Sequence, residues 1–389
     1  MKILIVLTYY RPHTSGLTIY AERLAKALVR RGHGVTILTS QYEKNLPKEE
    51  SRDGVQIIRV PVVFRLSKGV VMPSFGIKAS RLVREHDVIQ LHLPQFDAAG
   101  IALRGKLHHK PTVITYHCDL LMPPGPIPQL ANLAVKIANN LAAIWTHRIV
   151  TYTQDYAENS DYLKRYLGKL KVIPPPVELP EVSKTEIKNF GKIHNPENLH
   201  PVIGMAARFA TEKGVEVLLD AMPDILKKYP NALVQFAGPY QNIIGEEEYF
   251  NRLKNIVKDY ETENHWRYLG VLNPEEMAKF YPNTDLLVLP SLNSTEAFGL
   301  VQIEAMMNGV PCVASDLPGV RQPVIRHGMG KIIPIGDSKA LAAAVVNILA
   351  DRNRPMVPSV KLKEIYDPES IAEEYEVLFE EIRKEIEAS

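Results

Sequence analysis

The sequence predicts an α/β protein built from two doubly wound, Rossmann-like lobes with a cleft between them. Three observations lead to this fold class. The chain has 389 residues, and a chain of this length usually divides into about two domains. Short apolar runs alternate with amphipathic helical stretches, which is typical of βαβ units around a parallel sheet. The alternation stops at residues 175–200 and then starts again.

In the first lobe, a short apolar run marks each expected strand, and residues 18–31 carry apolar side chains at helical spacing. The strands are predicted at residues 2–8, 34–39, 56–60, 87–92, 112–116 and 148–152. A long, weakly charged helix is predicted between the last two strands. Residues 1–180 therefore form the predicted first domain.

A boundary is predicted where residues 181–200 become polar without a strong period, which is typical of a linker. The second domain is predicted at residues 200–367, with a helix at residues 214–228 and strands at residues 202–207, 232–237, 285–289 and 311–314. Residues 368–389 form a last helix that is expected to pack on a lobe, because it repeats apolar residues along one side: Ile371, Tyr375, Leu378, Ile382 and Ile386.

Composition indicates a globular protein that does not span a membrane. Hydrophobic residues make up 46% and charged residues 23% of the chain, and no run of about 18 uncharged apolar residues occurs. The first residues resemble a buried strand more than a signal peptide, so a cytoplasmic location is expected. Cys118 and Cys312 are far apart and form no CxxC pair, so we expect reduced thiols.

The net charge of +2 conceals an asymmetry. Residues 1–180 carry 24 Lys and Arg against 13 Asp and Glu, whereas the remainder carries 22 against 31. A basic half can mark an anionic membrane surface or a nucleic-acid surface, although scattered cations more often form an ordinary solvated face. We expect no nucleic-acid partner, and the sequence indicates no oligomeric state.

Ligands of open parallel sheets bind beyond the carboxyl ends of the strands. After the predicted strand that ends at Ala207, Arg208 and Lys213 flank the start of the next helix. A guanidinium can grip phosphate oxygens with two hydrogen bonds, and Lys213 adds a charge near free helix amides. Together the two cations predict a diphosphate site, although either one alone would be explained by solvation.

The segment TEAFGLVQIE, at residues 295–304, follows the strand at residues 285–289. A helix is predicted from Phe298 to Met307, so that the amides of Phe298, Gly299 and Leu300 would be free to bind an anion. Glu296 would precede this helix, and Glu304 would lie about two turns further along. Both carboxylates could bind hydroxyl groups. Alternatively, Glu296 interacts with the helix dipole and Glu304 forms an internal salt bridge.

These motifs resemble the retaining glycosyltransferases of family 4, which have the GT-B fold. The resemblance covers essentially the whole chain and continues through GVPCVAS at residues 309–315, LPG at residues 317–319, and Gly336-Asp337. It implies that Arg208 and Lys213 bind the donor diphosphate, that Glu296 binds hydroxyls of the transferred sugar, and that Glu304 binds the nucleotide ribose. The amides of Phe298, Gly299 and Leu300 would contact sugar and phosphate. We add Gly238, directly after the strand at residues 232–237, to the predicted donor-binding residues.

In the first lobe, which binds the acceptor in this family, the resemblance points to the loop after the first strand. The family usually has two adjacent glycines there, whereas this chain has Ser15 and Gly16, which we count among the predicted donor-binding residues. The resemblance also implies that His117, at the end of a strand, reaches the donor sugar near the reacting carbon. We interpret His92 as an ordinary strand-end histidine.

A covalent double displacement needs two carboxyl groups about 5 Å apart, and no obvious second acid accompanies Glu296. The resemblance instead implies front-face transfer with retention, in which the leaving diphosphate takes the acceptor proton. The chain contains no Asp-x-Asp triplet and no His/Cys cluster with metal-ligand spacing. We therefore expect a UDP- or GDP-hexose as the donor substrate, with no metal and no other cofactor.

Two other classes of function were weighed. A nicotinamide-dependent dehydrogenase would need GxGxxG after the first strand, but Gly32 and Gly34 lie at the end of a helix instead. A non-catalytic protein that binds nucleotide sugars remains an alternative, because a fold does not determine a function.

The acceptor is the least determined substrate. Residues 59–71 combine Arg59, Arg65 and Lys68 with a Val-rich run, and the helix at residues 127–145 carries only Lys136 as a charge. Its apolar stripe is more typical of a core and comprises Leu130, Leu133, Ala134, Ile137, Ala138 and Leu141. A cationic apolar edge suits an anionic bilayer. We hypothesise a peripheral enzyme on the inner face of the cell membrane with a lipid-linked acceptor. A soluble acceptor is the rival.

Overall fold

The computed structural model describes residues 1–66, 69–121, 126–241, 243, 245–351 and 357–388. These residues form two compact units. The first unit comprises Met1–Pro176 and Tyr366–Ser389, and the second comprises Val177–Ile365. Each unit is built around a twisted sheet of mainly parallel strands, so the predicted α/β class is confirmed.

Among its described residues, the first unit contains ten strands: β1 (Lys2–Val6), β2 (Gly34–Gln41), β3 (Glu49–Arg52), β4 (Val55–Pro61), β5 (Phe64–Leu66), β6 (Gly69–Val71), β7 (Val88–Leu93), β8 (Thr112–Tyr116), β9 (Arg148–Thr151) and β10 (Leu170–Val172). Eight of them form one sheet in the order β10-β9-β8-β7-β1-β2-β4-β3. Only β3 runs antiparallel to its neighbour in this sheet. Strands β5 and β6 form a separate hairpin.

Five helices connect these strands: α1 (Gly16–Arg30), α2 (Phe75–Glu85), α3 (Ala98–Leu107), α4 (Pro126–Trp145) and α5 (Gln154–Asn159). From β1 to β2 the chain crosses the sheet in one direction, and from β7 through β8 to β9 it crosses in the other. Because such crossovers are right-handed, α1 lies on one face of the sheet. Helices α2, α3 and α4 pack side by side on the opposite face.

The second unit has six strands: β11 (Val202–Ala206), β12 (Leu233–Ala237), β13 (Trp266–Gly270), β14 (Leu286–Leu289), β15 (Cys312–Ser315) and β16 (Gly330–Ile333). They are all parallel, in the order β13-β12-β11-β14-β15-β16. Its helices are α6 (Lys184–His194), α7 (Val215–Lys228), α8 (Glu247–Thr262), α9 (Pro274–Phe280), α10 (Leu300–Met307), α11 (Gln322–His327), α12 (Ser338–Ala350) and α13 (Ser359–Tyr366). The strand order reverses between β11 and β14.

The last helix, α14 (Pro368–Glu387), returns the chain to the first unit and packs against α1. Asp367 caps its start by accepting a hydrogen bond from the amide of Ser370. The apolar side predicted from the sequence is largely buried, and Tyr375 donates or accepts hydrogen bonds with the hydroxyls of Tyr20 and Thr115 at 2.7 and 2.8 Å. The packing of this helix is therefore both apolar and polar.

Two local predictions were wrong. Residues 181–200 are not a plain linker, because α6 begins there at a capping box formed by Ser183 and Glu186. Only Phe190 is buried in this helix, which explains why its apolar period was weak. The helix predicted to begin at Phe298 begins at Leu300, because Gly299 adopts a φ of +79° that a right-handed helix cannot contain.

Candidate functional site

The candidate site of the second unit lies at the carboxyl ends of β11 and β14, where the strand order reverses. Such a switch point opens a crevice, because the connections on its two sides leave in opposite directions. The loops that follow these two strands carry Arg208, Lys213 and Glu296. Leu292, in the second loop, donates its amide to the carbonyl of Glu212 in the first at 2.9 Å, so the two loops are joined directly.

The structure brings Lys213 and Glu296 into contact. The Lys213 Nζ lies 2.5 Å from Glu296 Oε2, and both side chains are mostly buried, with exposed fractions of 15% and 18%. Arg208 precedes Lys213 by five residues, and its guanidinium pairs with the Glu212 carboxylate at 2.5 Å. Two cations and two carboxylates therefore line the loops at the switch point. Glu296 is an ion-pair partner of Lys213, which the sequence did not predict.

The loop that carries Lys213 is held in place by its neighbours. Gly214 has a φ of +64°, and a Cβ at this position would lie 2.2 Å from the carbonyl oxygen of Pro290. Only glycine allows this approach of the two loops. The buried carboxylate of Glu246 accepts hydrogen bonds from the amide and the hydroxyl of Thr211 at 2.9 and 2.8 Å. Lys213 is thus presented from a rigid turn.

The start of α10 is fixed in a similar way. A Cβ on Gly299 would lie 2.4 Å from Leu289 Cδ2, so the loop packs closely on the end of β14. The buried Gln302 side chain donates from Nε2 to the carbonyls of Phe298 and Val320, both at 2.9 Å. Phe298 and Gly299 lie outside the helix, and Leu300 is its first residue. The free amides of the first turn of α10 therefore lie further along the chain than the predicted amides of Phe298, Gly299 and Leu300.

Glu304 lies in α10, as predicted, and is almost fully buried. Its carboxylate accepts a hydrogen bond from the hydroxyl of Tyr281 at 2.7 Å. Gly238, the remaining predicted residue of this unit, has a φ of +141°, and a Cβ there would lie 2.0 Å from the carbonyl oxygen of Ala207. The close passage of β11 explains this glycine, and its contact with a donor stays a prediction.

In the first unit, Ser15 and Gly16 begin α1. The Ser15 hydroxyl accepts a hydrogen bond from the Thr18 amide at 3.2 Å, and the Thr18 hydroxyl accepts one from the Ser15 amide at 2.8 Å. This capping box explains Ser15 without a ligand. Gly16 differs, because a Cβ there would meet nothing within 4 Å. The fold does not require glycine at this position.

His117 is buried at the carboxyl end of β8, and both of its ring nitrogens are engaged. Its Nε2 lies 2.7 Å from Nδ1 of His92, which is also buried, and its Nδ1 is hydrogen-bonded to the hydroxyl of Tyr152. Burial lowers the pKa of His92 to about 3. Burial and the neighbouring His92 hold the pKa of His117 well below its ordinary value. The two imidazoles therefore form a neutral pair near pH 7.

Several residues of these arrangements escaped the sequence reasoning. Glu246, Tyr281 and Gln302 have partners 35, 23 and 18 residues away, and no local pattern indicated these contacts. Glu212 follows Arg208 by four residues, but these residues do not form an α-helix, so the spacing alone did not indicate their contact. His92 was interpreted as an isolated strand-end residue because its partner is on the neighbouring strand.

No group of three or more His, Cys, Asp or Glu residues that could hold a metal ion occurs among the described residues. Within the same part of the chain, no helix is long and apolar enough to cross a membrane.

Comparison with known families gives two adjoining matches that together span most of the chain. Residues 14–180 match the family described as Glycosyltransferase Family 4, and residues 186–361 match Glycosyl transferases group 1. The chain is 26% identical over 380 residues to an uncharacterized glycosyltransferase of Methanocaldococcus jannaschii, covering 94% of both proteins. It is 24% identical to the phosphatidyl-myo-inositol mannosyltransferase of Mycobacterium leprae, covering 98% of this chain and 97% of that protein.

A third relative is the N-acetyl-alpha-D-glucosaminyl L-malate synthase of Bacillus anthracis, at 24% identity over 99% of this chain and 98% of that protein. Among solved structures, the crystal structure of Anabaena HepE in complex with UDP superposes with a TM-score of 0.76 at 20% identity, over 98% of this chain and 100% of that one. This likeness confirms the predicted GT-B fold.

Proposed function

Because the chain belongs to glycosyltransferase family 4, we propose that it transfers a hexose from a UDP- or GDP-sugar to an acceptor with retention of configuration. The observation that carries this proposal is the pairing of Lys213 with Glu296 at the switch point of the second unit, where the loop of Lys213 also carries Arg208 and its partner Glu212. Cations suited to a diphosphate and a carboxylate suited to sugar hydroxyls lie together on two rigid loops.

In the proposed reaction, the bond between the sugar C1 and the diphosphate oxygen breaks, and a bond between C1 and an acceptor oxygen forms on the same face. The acceptor proton moves to the leaving diphosphate. Arg208 and Lys213 stabilise the negative charge that develops on this leaving group. A diphosphate attracts Lys213 more strongly than one carboxylate does, so donor binding would release Glu296 to accept hydrogen bonds from the sugar.

The remaining predicted residues keep their proposed roles. Amides at the start of α10 bind sugar and phosphate, and Glu304 binds the ribose after exchanging its hydrogen bond with Tyr281. Gly16 allows close approach of a ligand to the start of α1. His117 contributes as a neutral, fixed residue near the reacting carbon, since its ring nitrogens are engaged by His92 and Tyr152.

We propose that no metal takes part, because the two cations and the helix amides supply the neutralising charge. Activity measured after exhaustive treatment with EDTA should equal that of the untreated protein. Loss of activity that Mg²⁺ or Mn²⁺ restores would contradict this.

For the acceptor we favour a lipid-linked molecule. The mycobacterial relative is named for a phosphatidylinositol acceptor, whereas the Bacillus relative is named for L-malate, so a small soluble acceptor is the rival. The surface charge and apolar exposure of the first unit favour the lipid, as argued below. A protein that only binds nucleotide sugars is the alternative of another class.

The test is a transfer assay with a panel of UDP- and GDP-hexoses against lipid and soluble acceptors, with the anomeric configuration of the product determined by NMR. We expect one donor to be consumed with retention. Binding of a donor without hydrolysis or transfer under all conditions would refute catalysis, and an inverted product would refute the stereochemistry.

A further inference from the structure

The helices on one face of the first sheet carry a one-sided charge. Helices α2, α3 and α4 together contain one carboxylate, Glu85, against six cations: Lys78, Arg81, Arg84, Arg104, Lys106 and Lys136. Arg81, Arg84 and Lys106 are exposed. Since these three helices pack side by side, their outer surfaces form one layer with an excess of cations, in which Arg81 pairs with Glu85 at 3.6 Å and Lys78 pairs with Glu49 of β3 at 3.5 Å.

The same layer exposes large apolar side chains. The exposed fraction is 79% for Ile77 on α2 and 67% for Leu107 on α3. On α4 it is 54% for Leu133, 52% for Ile137 and 54% for Ile144. The stripe of α4 was expected to be core, but its buried face is formed by smaller residues such as Ala138, Ala142 and Ala143. Single exposed apolar residues are ordinary, whereas here five large ones are exposed on three helices that pack side by side.

The opposite face of the same sheet has the opposite character. Helix α14 contains eight glutamates against Arg383 and Lys384. It forms ion pairs with Arg30 at the end of α1, with Arg31 directly after that helix, and with Arg148 at the start of β9. The cations of that face are therefore neutralised within the unit. The basic excess that the sequence shows for residues 1–180 is left on the layer formed by α2, α3 and α4.

We propose that the outer surface of α2, α3 and α4 docks on an anionic lipid bilayer, with Ile77, Leu107 and Ile137 entering the interface between head groups and acyl chains. Cations attract the anionic surface, and the apolar side chains that they surround are removed from water. Docking itself does not depend on the chemistry at the switch point. Its use in reaching a lipid acceptor rests on the proposed function.

Other occupants fit this surface less well. A second copy docked through the same face would bring two cationic layers together, which is unfavourable. A nucleic acid would match the charge but would leave the apolar side chains without a partner, since it is bound mainly through phosphates. An anionic bilayer matches both properties.

The surface differs from the edge expected from residues 59–71. Arg59 is buried in β4, where its guanidinium donates to the carbonyls of Pro47 and Arg11 at 3.0 and 2.9 Å and pairs with Glu50. It is not available to a membrane. Lys68 lies outside the described residues. Phe64 and Arg65 are exposed, but they belong to the hairpin and not to the layer.

The test is flotation of the full chain with vesicles of phosphatidylcholine alone or with added phosphatidylglycerol. We expect binding only to the anionic vesicles, and weaker binding as salt rises. R81A/R84A should lower the partition roughly 25-fold, because each cation near an anionic surface contributes about a fivefold factor. I77S/I137S should lower it by about tenfold or more.

Two variants serve as matched controls. K254A/K258A removes two exposed cations from α8, and V377S removes an exposed apolar residue from α14. Both should bind vesicles like the unchanged protein. Circular dichroism confirms that every variant is folded, and donor hydrolysis in the absence of lipid should be equal in all of them.

Equal binding to neutral vesicles, no binding at low salt, or equal losses in the control variants would overturn the proposal. So would a dimer that I77S/I137S dissociates, or binding of a DNA duplex that displaces the protein from anionic vesicles at stoichiometric amounts. If the protein binds vesicles as expected but transfers no sugar, the proposed function is refuted, whereas the assignment of this surface to membrane docking stands.

Discussion

Lys213 and Glu296 are separated by 83 residues in the chain, yet their charged atoms are in contact at 2.5 Å. The contact depends on two backbone features that place the loops together: the left-handed conformation of Gly214 and the hydrogen bond from Leu292 to Glu212. The residues that would carry charge in the reaction are therefore paired in advance, and each restrains the other. This restraint determines what single substitutions should do.

Replacing Arg208 or Lys213 by alanine should lower kcat/KM by about 100-fold or more, the usual effect of removing a group that stabilises charge in a transition state. Each variant leaves a carboxylate without its cation, but Lys213→Ala does so at Glu296, the proposed ligand of the sugar, so its effect should be the larger. Steady-state kinetics of the folded variants measures both. Lys227→Ala, which removes an exposed lysine of α7, is the control. Turnover unchanged in either site variant would refute its role.

The buried pair of His92 and His117 makes the stability of the first unit dependent on pH. Their pKa values are depressed on folding, whereas an unfolded histidine titrates near 6.5. Below pH 6.5 the unfolded chain binds more protons, so the free energy of unfolding falls as pH falls from about 6.5 toward 3. Each histidine contributes a slope of about 1.4 kcal/mol per pH unit.

His92→Asn tests this dependence, because asparagine can keep a hydrogen bond to His117 Nε2 but does not titrate. Chemical denaturation between about pH 5 and 6, followed through Trp145 in a Trp266→Phe background, reports the first unit. The slope with pH should decrease by roughly the contribution of one histidine. If the slope is identical in the two proteins, burial does not lower the pKa of His92.

At the scale of elements, the glycines at the starts of two helices differ, because the fold itself requires only one of them. Gly214 and Gly16 both stand at the start of a helix that follows a strand. Gly214 is required by its positive φ and by the nearby Pro290 carbonyl, whereas Gly16 has open space around it. One glycine is explained by the fold, and the other is not.

Substitution of each glycine by alanine should therefore have different effects. Gly214→Ala should lower the free energy of unfolding of the second unit by more than about 1 kcal/mol, since it adds backbone strain and a steric conflict. Gly16→Ala should leave stability unchanged within about 0.5 kcal/mol but raise KM, because a methyl group would obstruct a ligand near the helix amides. Denaturation and kinetics on both variants decide. An unchanged or lower KM for Gly16→Ala, or a fully stable Gly214→Ala, would contradict these roles.

Elements with a strong periodic pattern were predictable from the sequence, and those stabilised by distant contacts were not. Strand β8 was predicted with its observed bounds because five apolar or β-branched residues lie between Pro111 and His117. The edge strands β3, β13 and β16 were missed, since their exposed positions dilute the apolar pattern. At the site, Arg208, Lys213 and Glu296 could be selected by their place after strands. The pairing of Lys213 with Glu296 depends on how β11 and β14 are ordered in the sheet, which no local pattern contains.

At the scale of the whole molecule, the chain leaves the first unit at Pro176 and returns to it at Tyr366. Helix α14 therefore completes a core whose other residues come from the first 176 positions. It buries Ile371, Leu378, Phe379 and Ile382, and its Tyr375 hydroxyl joins those of Tyr20 and Thr115. The stability of the first unit thus depends on residues that follow the whole second unit in the chain.

Removal of residues 366–389 should unfold the first unit and leave the second folded. Each buried apolar side chain of α14 contributes about 1.5–3 kcal/mol. Losing four of them therefore removes a large part of the roughly 5–15 kcal/mol that stabilises a typical domain. Trp145 lies in the first unit and Trp266 in the second, so single-tryptophan versions of the truncated chain report each unit separately. Tyr375→Phe removes only the shared hydroxyl, so it should destabilise the first unit by about 1–3 kcal/mol and leave the Trp266 transition unchanged. As the control, Val377→Ser on the exposed side of α14 should change neither the Trp145 nor the Trp266 transition. An unchanged Trp145 transition in the truncated chain, or equal shifts of both transitions, would show that α14 is not part of the folding unit to which its contacts assign it.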